Sequence, residues 1–128
     1  MSNNPIILIV DDSSNDRDLY KAWLEQVTSD KPLQILEAEN VKDGLEICLT
    51  QKPDCIILDF LMLDADGFQF LTKLKEASGN NIPSIIFTTG HHSPQIAEDA
   101  LALGAQSYLN KNTISMELLH KAVNDIIR

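Results

Sequence analysis

Three aspartates of this chain stand at the ends of short apolar runs, where they could hold a metal ion and a phosphoryl group. Asp11 and Asp12 follow the run IILIV, and Asp59 follows CIIL. If these runs are strands of one parallel sheet, their carboxyl ends share an edge and the three carboxylates meet there. Crowded carboxylates repel one another unless a cation lies between them. Oxygen ligands with room for water suit Mg²⁺ or Mn²⁺, which usually takes a phosphoryl oxygen as well.

Two further residues at strand ends complete this set. Thr88 follows the run SIIF, and Lys111 follows AQSYLN. With a metal on one side and the Lys111 ammonium on another, the oxygens of a transferred phosphoryl group could be neutralised while an oxygen of Asp59 attacks in line. Thr88 would donate its hydroxyl to the same group. The residues therefore predict that Asp59 is a nucleophile that accepts a phosphoryl group.

Apolar runs alternate along the chain with segments of helical periodicity, as is typical of βα units. We predict strands at Ile6–Val10, Leu33–Glu39, Cys55–Leu58, Ser84–Thr88 and in AQSYLN. We predict helices after DDSSND, over about Val41–Thr50, from Gly67 to a turn at Ser78–Asn81, over Pro94–Leu103 and over Ser115–Ile127. Continuously apolar strands with amphipathic helices between them favour a parallel sheet that is covered on both faces.

The whole chain resembles the receiver domain of two-component response regulators. The resemblance rests on ILIVDDSSNDRDLY, IILDFLMLDADGF, IPSIIFTTG and GAQSYLNK, which occur in that order. Each segment is weak evidence alone, but the order and spacing together are specific. The resemblance implies an α/β, flavodoxin-like, doubly wound sheet of five parallel strands in the order 2-1-3-4-5, with five helices on its two faces.

The same resemblance implies roles for individual residues. Asp59 would be the phosphoacceptor, and Thr88 and Lys111 would contact the phosphoryl group. Tyr108 would be an aromatic switch whose ring moves inward as Thr88 shifts. The implied ligands of Mg²⁺ are Asp11, Asp12, Asp59 and the backbone carbonyl of Leu61.

Receiver domains obtain the phosphoryl group from a histidine kinase or a phosphotransfer protein, and the resemblance implies the same donors here. A downstream protein partner would bind the face formed by the fourth helix, fifth strand and fifth helix. We expect four residues on or near this face: Ala100, Leu103, Tyr108 and Ala122. A second copy of the chain, as a homodimer, is a further predicted partner. The chain would not be an enzyme toward other substrates, because it would catalyse only its own aspartyl phosphorylation and slow dephosphorylation.

Several residues depart from the usual pattern of the family. Leu63 stands where many members have a proline, which predicts a less constrained loop after Asp59. Asn112 replaces the proline that often follows the switch lysine, which removes the usual reason for a cis peptide bond. Leu61 and Gly90 flank the predicted site and offer no acid or amide that could orient a water molecule. We therefore expect slow to moderate autodephosphorylation.

Length and charge limit the remaining possibilities. The 128 residues suit a single domain over 1–128, with 1–5 as an N-terminal tail and no output domain. The net charge of -9 argues against direct binding of nucleic acid or anionic lipid. Cys48 and Cys55 are isolated in apolar segments, which indicates reduced core cysteines. With neither a long apolar span nor a signal peptide, the sequence predicts a cytoplasmic protein without a membrane segment.

Two alternatives to a separate phosphorylated receiver stay open, and a third class, a phosphohydrolase, is less well supported. The chain could be a pseudo-receiver, which is a docking module that phosphorylation does not regulate. It could also be the receiver fragment of a hybrid kinase. A phosphohydrolase with an aspartyl nucleophile would need an acid two residues after Asp59, where Leu61 stands. Some of the acids also have a purely structural interpretation. Asp12 and Asp16 could help to cap the first helix, and Asp64 and Asp66 fit turn and capping positions.

Overall fold

A computed structural model describes residues 4–27, 32–79, 81–91 and 93–127 of the chain. Strands and helices alternate throughout. The strands are β1 (Ile6–Val10), β2 (Gln34–Ala38), β3 (Cys55–Asp59), β4 (Ser84–Thr89) and β5 (Ser107–Asn110). The helices are α1 (Ser14–Leu24), α2 (Val41–Gln51), α3 (Gly67–Ser78), α4 (Pro94–Ala102) and α5 (Met116–Ile127). Residues 1–3 of the predicted tail and Asn80 of the predicted turn lie outside the described residues.

The strands form one parallel sheet in the order β2-β1-β3-β4-β5. This order and the five helices confirm the predicted flavodoxin-like α/β fold. Strand β2 is one residue shorter at each end than predicted, and β4 continues to Thr89. Strand ends are fixed by pairing with the neighbouring strand, not by apolar character. Leu33 illustrates the difference: it packs against the core, but it lies outside β2.

Side chains that alternate along the strands form two cores, one on each face of the sheet. Leu8, Ile56 and Ile85 belong to the core that α2, α3 and α4 cover. Ile7 and Ile57 belong to the opposite core, which α1 and α5 cover. Each buried aliphatic side chain of this size stabilises the fold by about 1.5–3 kcal/mol relative to its exposed state. The two cores hold the sheet rigidly, so the residues at the strand ends have defined positions.

Polar side chains tie down the ends of the helices near the carboxyl edge of the sheet. Asp66 is the N-cap of α3 and forms a capping box, in which its carboxylate accepts from the Gln69 backbone N–H and the Gln69 side chain accepts from the Asp66 N–H. The Asp64 carboxylate accepts a hydrogen bond from the Val41 N–H at the start of α2. The predicted capping and turn roles of these two aspartates are confirmed.

Gly67 permits the close approach of α3 to β4. A methyl group added there would overlap Cε1 of Phe87, which is fully buried. Alanine normally favours a helix over glycine by about 1 kcal/mol. Here we expect the opposite sign, because overpacking of this kind typically costs about 1–3 kcal/mol. Urea unfolding of Gly67→Ala should show this loss in the free energy of unfolding.

Gly90→Ala is the matched control for this measurement. An added methyl group at Gly90 would have the Lys111 Cδ as its nearest neighbour, at 4.0 Å. This variant should unfold within about 0.5 kcal/mol of the native chain. Equal stabilities of the two variants would contradict the packing role assigned to Gly67.

Candidate functional site

The register of the strands brings the predicted site residues to one place. Asp59 and Thr88 are direct partners in the pairing of β3 with β4. Val10 pairs with Leu58, so Asp11 at the end of β1 lies beside Asp59. Paired residues of parallel strands point to the same face of the sheet. Asp11, Asp59 and Thr88 therefore lie on the face that α1 and α5 cover.

The carboxylates of Asp11, Asp12 and Asp59 form a cluster that could hold a metal ion. One oxygen from each residue lies within 4.8 Å of the other two. Asp11 and Asp59 are almost completely buried, whereas Asp12 is exposed to solvent. Ser13, not Asp12, is the N-cap of α1, so Asp12 is not the residue that caps that helix. Hard oxygen donors with one open side suit a cation that keeps some of its water, as Mg²⁺ does.

Lys111 supplies the positive charge of this site. Its Nζ lies 2.8 Å from Asp11 Oδ2, 2.8 Å from Asp16 Oδ2 and 3.4 Å from Asp59 Oδ2. Its backbone N–H donates to the Thr89 carbonyl, which continues the pairing of β4 and β5. The predicted convergence of Lys111 with the acidic cluster is therefore present in the structure.

Asp16 is a charged member of the site that the sequence did not reveal. The sequence indicated only that Asp16 could help to cap the first helix, and Asp16 does lie in the first turn of α1. The hydrogen bond that Lys111 donates to Asp16 joins residues that are 95 positions apart. The only available signal was an acid one turn into the helix that follows the strand with the paired aspartates, and that signal also fits a helix-stabilising charge.

Burial and like charge shift the titration of this cluster. The pKa of Asp59 is raised to about 7: burial is the largest cause, the charge of Asp11 acts in the same direction, and Lys111 opposes both effects. For Lys111, burial lowers the pKa, but the hydrogen bonds to Asp11 and Asp16 outweigh it and the net shift is upward. Lys111 therefore stays charged at neutral pH, while the negative charge on Asp59 is poorly compensated. A divalent cation would provide the missing compensation.

The Thr88 hydroxyl is a buried donor at this site. Thr88 is completely buried, and its Oγ1 has no hydrogen-bond partner among the described residues. Burial raises the pKa of the nearby Tyr20 to about 12, so the phenol stays protonated. Thr88 has only a small opposing effect on that pKa, and no hydrogen bond of standard geometry joins the two hydroxyls. Buried hydroxyls without a partner are rare in native structures, and a role in ligand binding is one explanation for such a group.

The loop between β3 and α3 is anchored at both ends. The Phe60 N–H donates to the Thr88 carbonyl at 2.8 Å, and the Gly67 N–H donates to the Phe60 carbonyl at 2.7 Å. Leu61 is bridged to Asp66 and is about half exposed. Leu63, which replaces the usual proline, is 97% exposed at the tip of the loop. Hydrogen bonds thus fix the ends of the loop without the proline, and the Leu61 carbonyl as a metal ligand stays a prediction.

Tyr108 lies on the other face of the sheet from Thr88. It pairs with Phe87, packs against the core under α4, and its hydroxyl accepts from the Ser93 N–H at 3.4 Å. Ser93 is the N-cap of α4. A shift of Thr88 would therefore have to reach the Tyr108 ring through the backbone of β4 and the segment that enters α4.

Asn112 links the two loops beside the site. Its side chain donates to the Gly90 carbonyl at 3.2 Å, and its backbone N–H donates to the Asn110 side chain. Every peptide bond between described residues is trans, which agrees with the expectation drawn from the missing proline. The loop after β5 is thus held by the asparagine amide.

Fold and site together define the class of this protein: a doubly wound α/β domain with a buried acidic pocket and a lysine at the carboxyl edge of its sheet. The model of the response regulator receiver domain family matches residues 7–124. The chain belongs to this family.

Individual relatives agree with this assignment. Protein PilH of Pseudomonas aeruginosa is 35% identical over 122 residues, which cover 94% of this chain and 96% of PilH. The KDP operon transcriptional regulatory protein KdpE of Escherichia coli is 36% identical over 106 residues, which cover 82% of this chain but 44% of KdpE. This chain therefore spans nearly all of one relative and less than half of the other.

Solved structures show the same fold. The signal receiver domain of the DNA-binding response regulator merR from Colwellia psychrerythraea has a TM-score of 0.85 and 27% identity, covering 97% of this chain and 98% of that one. A response regulator receiver domain protein from Clostridium thermocellum has a TM-score of 0.82 and 28% identity, with coverages of 96% and 94%.

Two further expectations can be compared with the described part of the chain. Cys48 and Cys55 are buried and unpaired, as predicted. Within the described residues, no helix has the length and apolar character that crossing a bilayer requires.

The raised pKa of Asp59 predicts how its replacement changes stability with pH. A folded-state pKa of about 7, above the ordinary 3.8, means that the native state binds this proton more tightly than the unfolded state. Stability therefore falls as the pH rises from about 4 to 7. Asp59→Asn should stabilise the metal-free chain by about 1–2 kcal/mol at pH 8 and much less at pH 5. Urea unfolding with a chelator present measures the difference.

Asp125→Asn is the control, because Asp125 lies in a surface ion pair with Lys121 on α5. This change should shift stability by at most about 0.5 kcal/mol at either pH. A stabilisation by Asp59→Asn that is equal at pH 8 and pH 5 would contradict the assigned electrostatic cause.

Proposed function

We propose that this chain is a phosphorylatable receiver, in which Asp59 accepts a phosphoryl group from the phosphohistidine of a histidine kinase or a phosphotransfer protein. One observation carries the proposal. Around the buried carboxylate of Asp59 lie the other two acids that could hold a metal ion, the Lys111 ammonium and the Thr88 hydroxyl, which has no partner among the described residues. Relatives named as transcriptional regulatory proteins, such as KdpE, are consistent with a signalling role.

The arrangement suits an in-line transfer. A carboxylate oxygen of Asp59 forms the new bond to phosphorus as the bond to the donor imidazole nitrogen breaks, and that nitrogen keeps the bonding electron pair. Mg²⁺, held by Asp11, Asp12 and Asp59, would supply positive charge to the phosphoryl oxygens. Lys111, whose Nζ is 3.4 Å from Asp59 Oδ2, would donate to another of those oxygens. Thr88 would donate its hydroxyl to the third.

We also propose that the modified domain changes its preference for a protein partner at the face of α4, β5 and α5. Leu101 and Leu103 are exposed at the end of α4, and Leu118 is exposed on α5. Ala100 and Ala122, which we expected on or near this face, are buried in the two cores. Helical periodicity turns those small side chains inward, so the larger leucines are better candidates for contact. The two predicted partners for this face are a downstream protein and a second copy of the chain.

Phosphorylation by a small donor tests the central proposal. Incubation with phosphoramidate and Mg²⁺ should add one phosphoryl group, as read by intact mass, and hydroxylamine should remove it because it is an acyl phosphate. Asp59→Asn should abolish the addition because the nucleophile is lost, whereas Asp125→Asn should leave it unchanged. A folded wild-type chain that gains no phosphoryl group would contradict the proposal and favour a docking module.

The lifetime of the phosphoryl group should depend on Leu61. Because Leu61 offers no polar group to a water molecule, we expect Leu61→Asn to speed dephosphorylation by about tenfold. This is less than the roughly 100-fold or more of a positioned general base, because an amide can orient the water but cannot take its proton. Leu63→Asn is the matched control, since Leu63 lies in the same loop and is 97% exposed. Loss of the added mass over time, after removal of the donor, measures both rates. Equal rates for the two variants, or a wild-type half-life of seconds, would contradict this role.

A further inference from the structure

Asp16 contacts the catalytic lysine from outside the acidic cluster that could hold the metal. Its Oδ2 lies 2.8 Å from Lys111 Nζ, a distance equal to that from Asp11. The cluster of metal-competent acids among the described residues consists of Asp11, Asp12 and Asp59 and does not include Asp16. A metal ion bound to this cluster would not use Asp16, so the Asp16 carboxylate would remain a partner for Lys111.

The position of Asp16 is fixed by the start of α1. Its backbone N–H donates to the Oγ of Ser13, the N-cap of α1. The next residue, Arg17, donates from its guanidinium to the Asp11 carbonyl at 2.7 Å, which ties the helix to the end of β1. Arg17 is in turn paired with Glu37 of β2 at 3.2 Å. These contacts fix the backbone from which the Asp16 side chain reaches Lys111, and that side chain is 34% exposed.

A metal ion in the acidic cluster would change the surroundings of Lys111. The ammonium has three N–H donors, and in this structure three carboxylates surround it: Asp11, Asp16 and Asp59. Mg²⁺ would take oxygens of Asp11 and Asp59 and would repel the ammonium as a like charge. Lys111 would then keep Asp16 as its one carboxylate partner among these three.

We propose that Asp16 is a positioning residue that holds the Lys111 ammonium at the pocket while Mg²⁺ occupies the other carboxylates. The inference rests on the proposed function, because Lys111 must be present when the phosphoryl group arrives. It also has a consequence for the metal alone. Without Asp16, Lys111 can be satisfied only by Asp11 and Asp59, so it competes with Mg²⁺ for those two residues.

Magnesium affinity, measured by isothermal titration calorimetry, tests this competition without any phosphodonor. Asp16→Asn should weaken Mg²⁺ binding about fivefold, a coupling of the size usual for neighbouring charged groups. Asp16→Glu should restore much of the affinity, because it returns the carboxylate. Asp18→Asn is the matched control: Asp18 lies on the same helix, is exposed and forms no ion pair within the described residues. It should change the affinity by less than about twofold.

A second comparison separates positioning from a general loss of negative charge. In a Lys111→Gln background there is no ammonium to hold, so Asp16→Asn should cost no more affinity than Asp18→Asn does. A fivefold loss that persists in this background would mean that Asp16 acts only through its charge, and the inference would fall. Circular dichroism tests whether each variant is folded. If Asp16→Asn is not folded, the measurement is repeated with Asp16→Ser, because serine is a side chain suited to the first turn of a helix.

The outcomes for the inference and for the proposed function can be told apart. Equal affinities of Asp16→Asn and Asp18→Asn, with a wild type that binds Mg²⁺ and becomes phosphorylated, would overturn only the role of Asp16. If the variants show the expected Mg²⁺ affinities but the wild type gains no phosphoryl group, the role of Asp16 is supported and the proposed function is contradicted. A wild type that binds no Mg²⁺ would overturn both.

Discussion

The main physical constraint on this structure is the burial of like charges at one edge of the sheet, which the rest of the fold must hold in place. Asp11 and Asp59 are almost fully buried side by side, and Lys111 is the one lysine that contacts both within the described residues. Such an arrangement is unfavourable in the absence of a further cation, which is why the pKa of Asp59 is raised. The two apolar cores offset this cost, because their burial is large and is independent of the site. A fold can keep an unfavourable cluster only where the rest of the structure is rigid enough to hold it.

The alternation of side chains along parallel strands divides the site between the two faces of the sheet. Asp59 and Thr88 point toward α1 and α5, whereas Tyr108 packs on the side of α4. The chemistry and the aromatic ring are therefore separated by one layer of backbone. The Phe60 N–H donates to the Thr88 carbonyl. A displacement of the end of β4 would therefore move the loop between β3 and α3 as well as the loop that follows β4. In the proposed function, this backbone connection would be the route from Asp59 to the proposed partner-binding face.

The sequence predicted the features that depend on local pattern, and it missed those that depend on side chains meeting across the fold. Apolar runs and helical periodicity located every strand and helix to within a few residues, and the resemblance supplied the strand order. Asp11, Asp59 and Lys111 could be grouped because strand ends share an edge. The contact of Asp16 with Lys111 and that of Asn112 with Gly90 could not be predicted, because both depend on the rotation of a helix or a loop. No periodicity in the sequence records that rotation.

Charge in the pocket also orders the events that the proposed function requires. Within the described part of the chain, four carboxylates surround the pocket: Asp11, Asp12, Asp16 and Asp59. In the same part of the chain, one lysine ammonium, that of Lys111, contacts three of them. A phosphoryl donor is itself anionic, so the metal-free pocket repels it. A dication held by Asp11, Asp12 and Asp59 would remove most of this repulsion. It would also compete with Lys111 for Asp11 and Asp59, so that N–H donors of Lys111 would become available to the incoming oxygens. In the proposed function the metal would therefore do more than screen charge. Lys111, whose Nζ contacts three carboxylates in this structure, would become able to bind the phosphoryl group.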